Sequence, residues 1–132
     1  MRSERDAFHL AIPVRDLDEA ADFYRGGLGA KLARRYDDRV TFDFFGDQLV
    51  CHLSDETAAQ ATVYPRHFGV TFADPADFER LLRLVEQRRL PVLQPANVRF
   101  AGTAEEHRTI LLVDPSNNVI EFKSYVDPRL MY

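Results

Sequence analysis

The sequence has a single cysteine among its 132 residues, which excludes an intrachain disulfide framework and fits a reducing compartment. Cys51 lies within the apolar run QLVCHL, a setting typical of a buried structural thiol rather than of a nucleophile. No run of apolar residues approaches the ~20 needed to span a bilayer, and the apolar stretch near the N-terminus is too short and interrupted for a signal peptide. We therefore expect a soluble, cytoplasmic protein.

A strong excess of one charge is also missing. The chain has 17 basic and 21 acidic residues, for a net charge of −4, and its Arg34-Arg35 and Arg88-Arg89 pairs are isolated. These features argue against a nucleic-acid footprint or a polybasic membrane patch. Hydrophobic residues make up 45% of the chain, enough for one domain over residues 1–132 or for two small repeated modules.

Residues 7–54 predict a strand, a helix and three further strands. The strand AFHLAIPV is followed by Asp16, a helix N-cap with Glu19 as its capping-box partner, and a run of glycines ends the helix. Three short apolar runs follow, and the Gly-Asp pair after Phe45 indicates a hairpin.

The second half repeats this order. Residues 54–66 are polar and without periodicity, which is typical of a linker. Residues 67–125 then predict a strand, a helix with Asp74 as N-cap and Pro75 at its first position, and three strands, the last two joined by the turn DPSNN. The chain therefore predicts an α+β fold of two βαβββ modules.

Residues that can bind metals occupy corresponding positions in the two halves. His9 and His67 lie early in the first strand of each module, and aligning the modules matches His52 with Glu121 late in the fourth strands. Each lies in an apolar run, where an imidazole or carboxylate is costly unless it is paired or bound to a metal. Two histidines and one carboxylate with open positions suit a non-haem iron centre, and Mn, Ni, Zn and Co accept the same donors. The pattern predicts one divalent metal ion, with Fe(II) favoured.

Taken singly, these residues have simpler interpretations. A lone histidine in an apolar strand, such as His9, is more often a core residue with one hydrogen bond. Glu121 alone would face solvent or pair with an arginine. A structural module whose polar strand residues pair with one another is therefore the alternative to a metal site.

The stretches FHLAIPVRDLDEAADFYRGGLGAKL, QLVCHL, RHFGVTF and LLVDPSNNVIEFK together resemble the vicinal oxygen chelate superfamily, over nearly the whole chain. Its members include glyoxalase I, extradiol dioxygenases, fosfomycin-modifying enzymes, methylmalonyl-CoA epimerase and bleomycin-resistance proteins. Asn117 stands where the family usually has glycine, and asparagine tolerates the left-handed conformation of such a turn.

The resemblance implies two βαβββ modules curved around a cleft that holds a divalent metal, and a homodimer whose modules pair within one chain or across two. Carried over by position, the metal ligands are His9, His67 and Glu121. The fourth-strand position falls on His52, which would be a fourth ligand or a catalytic acid or base.

The function implied is that of a metal-dependent enzyme acting on a small molecule with vicinal oxygens. The His–His–Glu set favours dioxygenase-like chemistry, an oxidoreductase, over a lyase or isomerase of the glyoxalase I type, which usually has Glu or Gln where this chain has His52. A non-catalytic protein that binds or sequesters a small molecule is a further alternative, but such members lack the metal residues. We expect four residues near the cleft to contact an acidic substrate: Tyr64, Arg99, His107 and Arg108.

Overall fold

The computed structural model describes residues 1–132 and confirms the predicted α+β architecture. The first half contains β1 (His9–Val14), α1 (Leu17–Ala21) with a π-helical continuation (Asp22–Gly27), β2 (Lys31–Arg35), β3 (Arg39–Phe44) and β4 (Asp47–Leu53). The second half contains β5 (Phe68–Phe72), α2 (Pro75–Arg88), β6 (Val92–Arg99), β7 (His107–Val113) and β8 (Val119–Tyr125), followed by a 3-10 turn (Pro128–Leu130). None of the helices is long and apolar enough to cross a bilayer.

Each half forms one four-stranded mixed sheet. The strand orders are β1-β4-β3-β2 and β5-β8-β7-β6, and in each sheet the first strand runs parallel to the fourth while the other pairs are antiparallel. His9, His52 and Glu121 lie on β1, β4 and β8, while His67, predicted within a strand, immediately precedes β5.

The helix starts follow the predicted capping chemistry in part. The Asp16 side chain accepts hydrogen bonds from the backbone N–H groups of Asp18 and Glu19, and the Asp74 side chain caps α2 by accepting one from the Ala76 N–H. The predicted capping box is wrong in one detail, because the Glu19 carboxylate pairs with Arg15 rather than returning to the N-cap backbone.

The helices and one face of each sheet enclose a single hydrophobic core. Alternation along the strands defines this core face: Ile12 and Val14 on β1 and Ile120 and Phe122 on β8 belong to the core. We call the opposite side of each sheet its outer face. Because the core face of each sheet is buried in the shared core, the strand residues that alternate with the core residues lie on the outer faces. His9 and Glu121 are among them.

A buried polar junction joins the two halves. The Tyr24 hydroxyl donates to the Asp114 carboxylate at 2.8 Å, and the backbone N–H groups of Ser116 and Asn118 also donate to Asp114 at 2.8 Å. The Asn118 amide donates to the carbonyl of Pro13 at 2.9 Å. Burial, followed by the nearby Asp114 charge, raises the pKa of Tyr24 well above its usual value.

Two turns and one close approach need their particular residues. Asn117 has φ +65°, as predicted for the turn before β8. Gly46 has φ +91° in the hairpin between β3 and β4, where the Gly-Asp pair predicted a turn. At Gly69 a Cβ atom would lie 1.6 Å from the backbone oxygen of Glu121, so only glycine lets β5 approach β8 there.

Candidate metal site

The structure brings His67 and Glu121 together on the outer face of the second sheet. His67 immediately precedes β5, and Glu121 lies in the middle of β8, opposite Gly69. The His67 Nε2 and Glu121 Oε2 atoms are 3.0 Å apart, and the two side chains are 28% and 17% exposed. Both reactive atoms are therefore partly shielded from water but still accessible from the outer face.

Hydrogen bonds fix the orientation of both side chains. The His67 Nδ1–H donates to the backbone oxygen of Val63 at 2.8 Å, so the lone pair of the neutral imidazole lies on Nε2. The Thr109 hydroxyl, on the neighbouring strand β7, donates to the other carboxylate oxygen, Glu121 Oε1, at 2.8 Å. Thr109 is only 2% exposed, so this support is rigid.

The donor chemistry of this pair fits a cation. With Nδ1 committed to a carbonyl, the neutral ring and the ionised carboxylate present two acceptors to each other at 3.0 Å. Such a contact is repulsive unless a proton or a metal ion lies there. An imidazole held by a carbonyl and a carboxylate held by a hydroxyl are the supports that metal ligands commonly have.

His9 has a comparable support on the outer face of the first sheet. Its Nδ1 hydrogen bonds to the side-chain oxygen of Gln48, its partner in the β1–β4 register. As Gln48 Oε1 can only accept, His9 donates from Nδ1 and leaves the Nε2 lone pair free. The imidazole of His9 is exposed, and its orientation suits it to bind a metal ion.

The strand register corrects the predicted equivalence of His52 and Glu121. Glu121 pairs with the residue two positions after His67, and the corresponding partner in the first sheet, opposite Ala11, is Val50. His52 lies opposite Pro13, four residues beyond the level of His9, a distance of about 13 Å along a strand. His9 and His52 therefore cannot both bind the same ion within one chain.

Within one chain, the predicted ligands do not all meet. No three His, Cys, Asp or Glu side chains are grouped so as to hold a metal ion. His67 and Glu121 form a pair on one outer face, and His9 lies on the other.

The four predicted substrate-binding residues lie at three different places in the structure. Tyr64, 71% exposed, packs its ring edge-on against the His67 imidazole at 5.9 Å. His107 on β7 and Arg99 on β6 are opposite each other in the strand register, on the outer face. The prediction for Arg108 does not fit: it pairs with Glu79 on α2, on the opposite side of β7 from His107, because adjacent strand residues point to opposite faces.

Two residues beside Glu121, Lys123 and Thr109, were not among the site residues predicted from the sequence. Lys123 lies one step along the same face of β8 and pairs in register with Thr109. The alternation of β8 indicates the position of Lys123, but that of Thr109 depends on the register between two strands, which no local pattern reveals.

Cys51 is buried, as predicted for a structural thiol. Burial, with a smaller contribution from the Asp114 charge, raises the pKa of its thiol far above the usual range, so the reactive thiolate is disfavoured.

The chain is similar to known proteins over its whole length. Residues 7–122 match the model of the glyoxalase/bleomycin resistance protein/dioxygenase superfamily. A structure described as a glyoxalase/bleomycin resistance protein/dioxygenase from Alicyclobacillus acidocaldarius is 59% identical, with full coverage of both chains and a TM-score of 0.96.

More distant structures share the fold. The fosfomycin resistance protein FosX from Listeria monocytogenes is 18% identical, with 98% of this chain and 100% of that chain covered and a TM-score of 0.73. Lactoylglutathione lyase from Agrobacterium tumefaciens is also 18% identical, with 96% and 97% covered and a TM-score of 0.71. A sequence search of functionally curated proteins found no match. The family match and the 59% identical structure establish that this chain belongs to the glyoxalase/bleomycin resistance protein/dioxygenase superfamily.

Proposed function

We propose that the chain is a metal-dependent enzyme acting on a small molecule with vicinal oxygens, and that its metal site is completed by a second copy of the chain. The observation that carries the proposal is the contact between His67 Nε2 and Glu121 Oε2 at 3.0 Å, a distance at which a proton or a metal ion must lie between the two atoms. A divalent ion would take the place of the proton there and be bound by both atoms.

The third ligand would be His9 of the second copy. Within one chain His9 and the His67–Glu121 pair lie on different outer faces, on the far sides of the shared core. A homodimer that stacks the first sheet of one chain against the second sheet of the other would bring these two faces together. Two such sites would form, related by the dimer axis.

A three-ligand site supports dioxygenase-like chemistry over the four-ligand type of glyoxalase I. The β4 residue equivalent to Glu121 is Val50, which has no donor atom. The other β4 candidate, Gln48, already accepts a hydrogen bond from His9. Two histidines and one carboxylate leave positions open for a substrate with two neighbouring oxygens.

The protein's own residues would bind the metal ion and hold its ligands in their orientation. His67 and Glu121 would hold the ion, which when bound supplies Lewis-acid chemistry toward the substrate oxygens. Thr109 and the Val63 carbonyl keep the two ligands in position, and Tyr64 shields one side of the His67 ring. His52 stays a predicted acid or base, at a distance from the ligands.

Metal content tests the proposal directly. Protein purified without chelator or a metal-affinity tag, then titrated anaerobically with Fe(II) or Mn(II), should bind one ion per chain by elemental analysis. His67→Ala and Glu121→Ala should each abolish binding, because each removes a ligand. His52→Ala, which changes an exposed histidine on the first sheet, is the matched control and should keep its metal. Wild-type protein without metal, or full binding by both ligand variants, would contradict the proposal.

A further inference from the structure

The outer face of β8 continues beyond Glu121 with two side chains that the metal site does not use. Because strand residues alternate, Glu121, Lys123 and Tyr125 lie on one face in successive steps. On β7, Thr109 pairs with Lys123 and His107 pairs with Tyr125. The next strand, β6, adds Arg99 opposite His107.

These side chains form a cluster of rings flanked by two cations. The His107 ring packs against Tyr125 at 4.7 Å and against Phe100 at 5.8 Å. Lys123 Nζ lies 5.9 Å from the centre of the Tyr125 ring, and the Arg99 guanidinium lies 5.7 Å from that of Phe100. We call Arg99, Phe100, His107, Lys123 and Tyr125 the basic aromatic patch.

The position of Phe100 in this patch is held by its loop. Its φ of +53° is uncommon for a residue with a bulky side chain. The hydroxyl of Thr103 donates to the Phe100 carbonyl at 2.7 Å, and the Glu106 carboxylate accepts from Gly102 N–H at 2.9 Å. The ring is therefore presented by a loop with fixed hydrogen bonds.

The two cations of the patch have no acidic partner. No carboxylate lies within 4.0 Å of Lys123 or Arg99, whereas Arg108, on the other face of β7, pairs with Glu79. Lys123 is only partly exposed, and lysines withdrawn from water are usually paired. The only acidic side chain on the same face of β8 is Glu121, whose oxygens are committed to Thr109 and His67.

We propose that Lys123 binds an anionic group of the substrate, and that the substrate is therefore a small carboxylate, phosphonate or phosphate that also carries vicinal oxygens. The inference rests on the proposed metal site. Lys123 lies two positions after Glu121 on β8, about 6.7 Å away between Cα atoms. One small molecule can therefore place its oxygen pair at His67 and Glu121 and its anionic group at Lys123. The rings of the patch lie beyond Lys123 along β8 and border the end of the site that would hold the anionic group.

Two chelating probes that differ by one carboxylate test this inference. Catechol and 3,4-dihydroxybenzoate both carry vicinal oxygens, but only the second has a carboxylate across the ring from them. Their affinities for the manganese-loaded protein, measured anaerobically by calorimetry, should differ by about tenfold to hundredfold in favour of 3,4-dihydroxybenzoate, as expected for a hydrogen bond between charged groups.

Variants of the two lysines assign the effect. Lys123→Met keeps the length of the side chain and removes its charge, so it should bring the affinity for 3,4-dihydroxybenzoate down to that for catechol. The affinities for catechol and for manganese should stay unchanged, and Lys123→Arg should restore most of the difference. Lys31→Met, on β2 of the other sheet, is the matched control and should have no effect.

The possible outcomes distinguish a failure of this inference from a failure of the proposed metal site. Equal affinity for the two probes, binding of neither, or an equal loss for both in Lys123→Met would refute the role of Lys123 while leaving the manganese site intact. A wild-type protein that binds no manganese would refute the metal site, and the inference with it.

Discussion

The hydrogen bond from Thr109 to Glu121 gives the most quantitative test of how the site is supported. Thr109→Val keeps the branched shape of the side chain and removes the hydroxyl that donates to Glu121 Oε1 at 2.8 Å. Thr109 is buried and the Glu121 side chain is 17% exposed, so water replaces the lost donor only in part. A hydrogen bond to a charged group contributes about 1.5–3 kcal/mol.

The loss should appear in metal affinity and in stability. If the hydroxyl orients the carboxylate as a ligand, the dissociation constant for Mn(II) should rise about tenfold to hundredfold. The free energy of unfolding of the metal-free chain should fall by about 1–2 kcal/mol, because one partly shielded carboxylate oxygen loses its donor. Calorimetric titration with Mn(II) and urea denaturation measure the two effects.

Thr71→Val is the matched control. Thr71 lies on the adjacent strand β5, level with Lys123 in the β5–β8 register, and its hydroxyl supports neither ligand. Manganese affinity should be unchanged in this variant. If Thr109→Val binds manganese as tightly as the wild type while Glu121→Ala does not bind it, the hydroxyl does not orient the ligand and the reasoning is wrong.

Two further predictions concern the buried groups that join the halves. Tyr24→Phe removes the donor to Asp114 and should lower the free energy of unfolding by about 1.5–3 kcal/mol, whereas Tyr132→Phe, at the exposed C-terminus, should not; a loss below about 0.5 kcal/mol, the range of ordinary surface changes, would contradict the junction. Burial raises the pKa of Cys51 and of Tyr24 in the folded chain, so both stay protonated when the unfolded chain loses these protons. The contribution of these two groups to stability is therefore fully present below about pH 8.5. It should fall as the pH rises through their pKa values in the unfolded chain, about 8.5 for Cys and 10 for Tyr. Cys51→Ala should reduce this slope in urea denaturation series by about 1.4 kcal/mol per pH unit, and an unchanged slope would show that the thiol does not contribute.

Much of the fold could be predicted from the sequence because its signals are local. Asp16 and Asp74 act as helix N-caps, and the turn at Asn117 has the left-handed backbone that its residue type allows. The alternation of residues along β8 likewise places Glu121 and Lys123 on one face. These features depend on residues that are near one another in the chain.

The rest of the site depends on long-range register. His52 was matched to Glu121 by aligning sequences, but β4 pairs with β1 so that Val50 occupies that position. A shift of two residues keeps a side chain on the same face, so alternation alone could not detect it. β6 is one strand with register shifts against β7, and Pro95 lies within it at this irregular stretch.

The prediction for Arg108 failed for a different reason. It follows His107 directly on β7, and neighbouring strand residues cannot both face one cleft. The sequence therefore contained the information to exclude one of them. Burial of His107 beside Tyr125 and pairing of Arg108 with Glu79 show which one belongs to the outer face.

The central claim, a metal site built by two chains, is tested most directly by mixing two inactive variants. His9→Ala and Glu121→Ala should each bind no metal as pure dimers. When they are unfolded together and refolded, a mixed dimer contains one site with both substitutions and one with none. With random pairing the mixture should bind about one quarter of an ion per chain, measured by elemental analysis after gel filtration. If the wild type binds one ion per chain but the mixture binds no more than the separate variants, the ligands do not come from two chains and the account is wrong.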